Sequence, residues 1–248
     1  MKTVAETDKA KIQNPSRIRV WQMFDRIARR YDVLNRLLSL RQDVRWRKKM
    51  AGLLPARSGL KVLDVATGTA DQIIALHKNT AGKISSATGV DMADQMLTIG
   101  RNKIKQQFPD ADIQLKSGDA VALPFDNAQF DVITISFGIR NVTDVCRALE
   151  EMFRVLRPAG RLLVLEFSLP QNYIVKKLYL FYFRNILPLF GGLVSGDRYA
   201  YRYLNETVEA FPYGEDFINV MHRAGFTDGR VVPLSFGIAS IYIGEKNE

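Results

Sequence analysis

A chain of 248 residues, 47% hydrophobic and 25% charged, is long enough for one α/β domain with its own core and has the composition of an ordinary globular protein. Its single cysteine, Cys146, excludes an internal disulfide and a cysteine cluster, and two histidines, His77 and His222, leave little for a histidine-rich metal site, so no metal is expected. The net charge of +9 is uneven: residues 1–50 carry 14 Lys/Arg and 5 Asp/Glu, and 14 minus 5 is the whole excess, the other 198 residues carrying 21 of each.

Residues 1–15 are polar and lysine-rich and are expected to be a disordered basic tail; 16–248 are expected to form one domain. The first residues lack the apolar h-region of a signal peptide, which with the cysteine count points to the cytoplasm. From Trp21 apolar residues recur at helical spacing (Trp21, Phe24, Ile27, Ala28, Tyr31, Leu34, Leu38), with Arg26, Arg29, Arg30 and Arg36 between them. A second helix is expected around Val44–Leu54, completing an N-terminal helical region over 16–58 whose basic face suits nucleic acid, an anionic membrane surface or simply solvent.

Strand-like runs then alternate with helical patterns: Lys61–Ala66, Ser86–Val90, Ile113–Lys116, Phe130–Ser136 and Arg161–Phe167. The helical run from Val145 to Leu156 is stopped by Arg157-Pro158-Ala159-Gly160. Such alternation implies a mostly parallel sheet with helices on both faces. Two last runs, Arg230–Leu234 and Ala239–Gly244, are joined by only Ser235–Ile238, too short for a parallel crossover, so they must pair antiparallel. The expected fold is therefore α/β and Rossmann-like, a seven-stranded, mostly parallel sheet with an antiparallel last strand and N-terminal helices. Between the fifth and sixth strands, 170–200 is an apolar insertion whose core, 173–196, is interrupted by Lys176, Lys177, Arg184 and Pro188. A membrane span needs about 20 apolar residues with few charges, so this segment is a buried helix or an apolar lid.

The chemistry lies at the strand ends. Val62-Leu63-Asp64-Val65 leads into Ala66-Thr67-Gly68-Thr69-Ala70 and a helix beginning near Asp71. Small residues let backbone approach a ligand, and a helix N-terminus offers free N–H donors. The loop is poorer in glycine than a dinucleotide fingerprint. Asp64 suits the ammonium of a methionyl group and would repel a pyrophosphate. Asp91, ending the second strand, can accept both hydroxyl protons of a ribose. Asp119, after the third strand, can take the amino hydrogens of adenine while a neighbouring N–H meets the ring. Three acids at successive strand ends favour S-adenosylmethionine over a nicotinamide cofactor. The loop after the fourth strand, Ser136-Phe137-Gly138-Ile139-Arg140-Asn141-Val142, faces the methyl acceptor in this architecture. It lacks the Asn-Pro-Pro-Tyr sequence of amino-group methylation, and Cys146 falls within a helix, so nucleic acid is disfavoured as a substrate. His77 and His222 fall in helical patterns and read as surface or packing residues.

Several stretches together resemble the ubiquinone/menaquinone biosynthesis C-methyltransferases: Phe24–Leu38, Asp64–Asp71, Ala122–Phe125, Ile133–Thr143, Arg161–Phe167 and Tyr201–Leu204. The likeness runs from about Arg19 over nearly the whole chain. The loop departs from the family's Gly-Gly-Thr-Gly, reading Thr67-Gly68-Thr69-Ala70. The resemblance implies methylation of a ring carbon on a polyprenyl quinol, demethylmenaquinol foremost. It implies that Thr69, Asp91, Asp119, Ala120 and Ser136 bind the cofactor, beside Asp64 and Gly68. It also implies that Arg140 and Asn141 face the substrate ring, with Tyr31 closing over it. Guanidinium stays protonated, so Arg140 is expected to stabilise a forming phenolate or polarise a water. An isoprenoid tail would fit the apolar insertion, and the basic helices would rest peripherally on an anionic membrane. Whether the acceptor is a benzoquinol or a naphthoquinol, and whether the chain forms a homodimer, the residues leave open. Rival readings are a methyltransferase for another small aromatic or lipid acceptor, a non-catalytic cofactor-binding subunit, and a nicotinamide oxidoreductase.

Overall fold

The computed structural model describes residues 20–186 and 207–247. The expected tail at 1–15, residues 187–200 of the apolar insertion and the Tyr201–Leu204 motif lie outside the described residues. Two helices come first, α1 (Val20–Leu38) and α2 (Gln42–Ala51). Then β1 (Leu60–Val65), α3 (Asp71–Asn79), β2 (Ile84–Asp91), α4 (Asp94–Gln107), β3 (Ile113–Ser117) and β4 (Phe130–Ser136) alternate. A short 3-10 turn, Ile139–Asn141, follows β4 and precedes α5 (Val145–Val155) and β5 (Leu156–Phe167). Next come α6 (Tyr173–Phe181), a single π turn (Tyr182–Ile186), α7 (Glu215–Arg223), β6 (Thr227–Leu234) and β7 (Ala239–Glu245).

The seven strands lie in the order β3-β2-β1-β4-β5-β7-β6. The first five are parallel, and β7 enters antiparallel between β5 and β6, as the short Ser235–Ile238 connection requires. The order reverses beside β1, the place where ligands settle in open α/β sheets. Side chains alternate across β1: Leu63 and Val65 join the core under α5 and α7, while Leu60 and Val62 join the core under α2, α3 and α4. Each such fully buried aliphatic side chain contributes about 1.5–3 kcal/mol.

Strand β5 starts earlier than the sequence suggests. Arg157-Pro158-Ala159-Gly160 does end α5, but the chain is already paired there: Leu156 lies against Phe130, and a register shift precedes the Val132–Arg161 pair. Ala159 absorbs the irregularity with φ 54°. Trp46 Nε1 donates to Ser235 Oγ at 2.9 Å, pinning α2 across the carboxyl edge of the sheet to the β6–β7 turn.

Candidate active site

At the carboxyl ends of β1, β2 and β4 and just after β3 lies a cavity of about 270 Å³. Its polar wall includes Gly68, Asp91, Asp119 and Ser136; Val20, Trp21, Phe24 and Tyr31 of α1 form an aromatic and aliphatic cover. Phe24 and Tyr31 meet edge to face at 5.8 Å. Ala28, between them on the helix, packs on Ala93 and Met96, so a small residue lets α1 settle close over the mouth.

The β1–α3 loop turns through three left-handed residues, Ala66 (φ 51°), Gly68 (φ 55°) and Ala70 (φ 63°). At Gly68 the backbone angle asks for glycine rather than the space, since a Cβ would meet only Met96 Sδ at 3.5 Å. Gly138 is the converse: a Cβ there would come within 2.6 Å of the Ala66 Cβ, so the β1 and β4 loops touch only because it has none. Ala70 holds by packing, fully buried, a left-handed angle that a glycine would adopt freely.

Asp91 Oδ2 accepts the Gly68 N–H at 2.8 Å and Oδ1 accepts the Ala93 N–H at 2.9 Å. Burial raises its pKa, and these backbone bonds oppose the rise. A carboxylate has about four acceptor sites, so each oxygen keeps capacity toward the cavity, which fits the two hydroxyls of a ribose. Asp119 is held by the Val121 N–H at 3.1 Å, and Ala120 beside it also lines the cavity. This donor and acceptor set fits the nucleoside half of S-adenosylmethionine.

Asp64 sits one layer behind. It is 1% exposed, Thr134 donates to its Oδ1 at 2.6 Å, and burial, opposed by the Thr134 and Thr67 hydroxyls, lifts its pKa to about 6. Ser136 at the cavity wall donates to Gln72 Oε1 at 3.1 Å, and Arg47 Nη1 reaches the same oxygen at 3.4 Å.

Beyond β4, Phe137 takes φ 58°, a strained angle for a bulky residue. The twist presents its carbonyl to Arg140 Nη1 at 2.7 Å, which also donates to Glu166 Oε1 at 2.6 Å. Arg140 is 4% and Glu166 0% exposed. Burial raises the Glu166 pKa, against the pull of the Arg140 charge. The guanidinium also lies over the Phe167 ring at 5.4 Å. Asn141, the next residue, does line the cavity, and its Oδ1 has no hydrogen-bond partner.

The structure thus brings seven of the expected residues, Tyr31, Gly68, Asp91, Asp119, Ala120, Ser136 and Asn141, to one cavity. The side chains of Arg140, Asp64 and Thr69 are engaged elsewhere. Arg140, expected to face the ring, is turned inward by Glu166, and the Thr69 hydroxyl donates to Asp32 Oδ1 at 2.6 Å. Lys103 Nζ bonds the other Asp32 oxygen at 2.9 Å. No strand-end motif marks Asp32, Arg47, Gln72 or Glu166 in the sequence. Asp32 follows Tyr31 within Phe24–Leu38, one of the stretches that carry the family resemblance, and that adjacency is the available signal. His77 and His222 lie on α3 and α7, the first tilted at 45° against Phe108 with ring centroids 5.5 Å apart.

A model of the ubiE/COQ5 methyltransferase family matches residues 10–246. The chain is 44% identical over 224 residues to a demethylmenaquinone methyltransferase of Thermus thermophilus, spanning 90% of this chain and 100% of that one. It is 43% identical over 228 residues to a ubiquinone/menaquinone biosynthesis C-methyltransferase of Geobacter sulfurreducens, covering 92% of this chain and 88% of the other. Among solved structures, a SAM-dependent methyltransferase from Thermotoga maritima superposes with a TM-score of 0.65 at 20% identity, covering 92% of this chain and 99% of that one. A likeness at that identity speaks for the fold alone.

Proposed function

The chain belongs to the ubiE/COQ5 methyltransferase family, and from that premise we propose that it methylates a ring carbon of a polyprenylated quinol precursor, demethylmenaquinol foremost. The observation that carries this function is a single cavity in which Asp91 and Asp119 share a wall with an aromatic cover and with Asn141. A nucleoside and a flat apolar ring both find their chemistry there.

When bound, S-adenosylmethionine supplies an electrophilic sulfonium methyl. The protein's work is to hold the acceptor carbon in line and to make it nucleophilic. A hydroquinol carbon gains that character when a neighbouring hydroxyl gives up its proton. Asn141 offers a bare amide oxygen to that hydroxyl and orients it. Tyr31 and Phe24 cover the ring and keep water away. Arg140 acts from behind, through its field and by fixing the Phe137 carbonyl, rather than by touching the ring. Its pairing with Glu166 keeps the guanidinium in one place.

Steady-state kinetics test these roles. Asn141→Ala is expected to lower kcat by about 10- to 100-fold, the worth of one positioned polar contact, while S-adenosylmethionine binds as before. Unchanged turnover would remove Asn141 from the acceptor side.

A further inference from the structure

Arg47 reaches from α2 to the floor beneath the cavity. It is 8% exposed, and its guanidinium lies over the Phe137 ring at 5.6 Å. Its one hydrogen bond is the 3.4 Å contact to Gln72 Oε1, its Nε has no acceptor, and it makes no ion pair among the described residues. The nearby acids are committed: Asp71 bonds Arg36 at 2.9 Å as well as Lys103, and Asp64 Oδ1 takes the Thr134 hydroxyl. A desolvated guanidinium with one long hydrogen bond is costly to keep and calls for an anion.

Its neighbours complete a pattern. Gln72 Nε2 is a buried donor without an acceptor, and Asp64 Oδ2 is a buried acceptor with only the Thr67 hydroxyl close to it and no hydrogen bond within 3.5 Å. Gln72 is tied to Ser136 on the cavity wall by the 3.1 Å bond. Two donor groups lacking an acceptor and one acid oxygen with acceptor capacity to spare, all behind one stretch of wall, match an α-amino-acid zwitterion: a carboxylate for the donors and an ammonium for the acid.

On the reading of this cavity as a cofactor site, we propose that Arg47, assisted by Gln72, binds the carboxylate of the methionyl group while Asp64 takes its ammonium. The role is recognition, and Arg47 is a binding residue that no motif at the strand ends marks. An arginine supplies charge and a planar pair of donors, which a glutamine cannot replace.

Calorimetric titration of the full chain with S-adenosylhomocysteine and with 5′-methylthioadenosine, which keeps the nucleoside but lacks the amino-acid end, separates the possibilities. Arg47→Gln is expected to weaken S-adenosylhomocysteine about 10- to 100-fold, as for a lost charged hydrogen bond, and to leave 5′-methylthioadenosine within about twofold. Arg47→Lys is expected to recover part of the loss. The ligand-free melting temperature of Arg47→Gln, measured beside these, checks that the variant folds, since the Arg47 charge also favours the ionised Asp71. Equal S-adenosylhomocysteine binding by wild type and Arg47→Gln, or an equal loss with both ligands, overturns the proposal. Failure of the wild-type chain to bind any adenosyl ligand overturns the cofactor reading itself, and the inference with it.

Discussion

Asp64 carries the clearest titration in the site. Its folded pKa, about 6, lies above the ordinary carboxylate value because burial disfavours the ion. The native state therefore holds a proton that the unfolded chain has already released, so this group's contribution to stability falls as pH rises from about 4 to about 6. A ligand ammonium reverses the preference by favouring the ionised form. Affinity for S-adenosylmethionine is then expected to increase as pH rises through about 6, and Asp64→Asn to flatten that dependence; a titration series from pH 5 to pH 8 reads both, and an unchanged profile in the variant would count against Asp64. Its acidity was legible in the sequence as an acid inside an apolar strand. Its depth was not, because that depends on Thr134 of a neighbouring strand, 70 residues away. Arg140 shows the same limit: Glu166 lies in a strand buried on both faces, where no alternation tells which way an acid points.

Among the elements, α1 is the part whose role changed most between sequence and structure. Its apolar spacing is visible in the sequence, and the family resemblance implies that Tyr31 closes over a ring. The tether was not visible. Asp32 joins the Thr69 hydroxyl and Lys103 on α4, so one acid ties the covering helix to the β1–α3 loop that shapes the cofactor wall. Cutting that tie with Asp32→Ala is expected to raise the KM for S-adenosylmethionine about 10-fold, consistent with losing a charge-assisted bond, with a smaller effect on melting temperature. A KM equal to wild type would leave α1 a passive cover. The strands were the most legible elements: β4 matches its expected ends residue for residue, because its apolar run starts after the polar Asp126–Gln129 turn and stops before the left-handed Phe137. The start of β5 was hidden by Pro158 and Gly160, which read as a turn although the chain is already in register with β4 there.

At the scale of the whole molecule, the charge and the apolar surface ask for one explanation. The first 50 residues hold the entire net charge of +9, and α6 exposes Ile174, Leu178 and Phe181 along one face, with Tyr173 and Lys177 beside them. Among the described residues no helix is long and apolar enough to cross a membrane. A polyprenyl acceptor dissolves in a bilayer, so a peripheral site on anionic lipid would bring enzyme and substrate together, each basic residue near the surface adding about 1 kcal/mol. Co-sedimentation with vesicles containing anionic lipid should therefore capture the protein at low salt and release it at high salt; indifference to such vesicles would contradict this. The most direct test of the central claim is transfer of label from methyl-labelled S-adenosylmethionine to short-tailed demethylmenaquinol and to a short-tailed benzoquinol precursor, with the product carbon identified. Label is expected on a ring carbon of at least one of them, demethylmenaquinol foremost. Cofactor binding without transfer to either ring would contradict a quinol methyltransferase and turn attention to another acceptor.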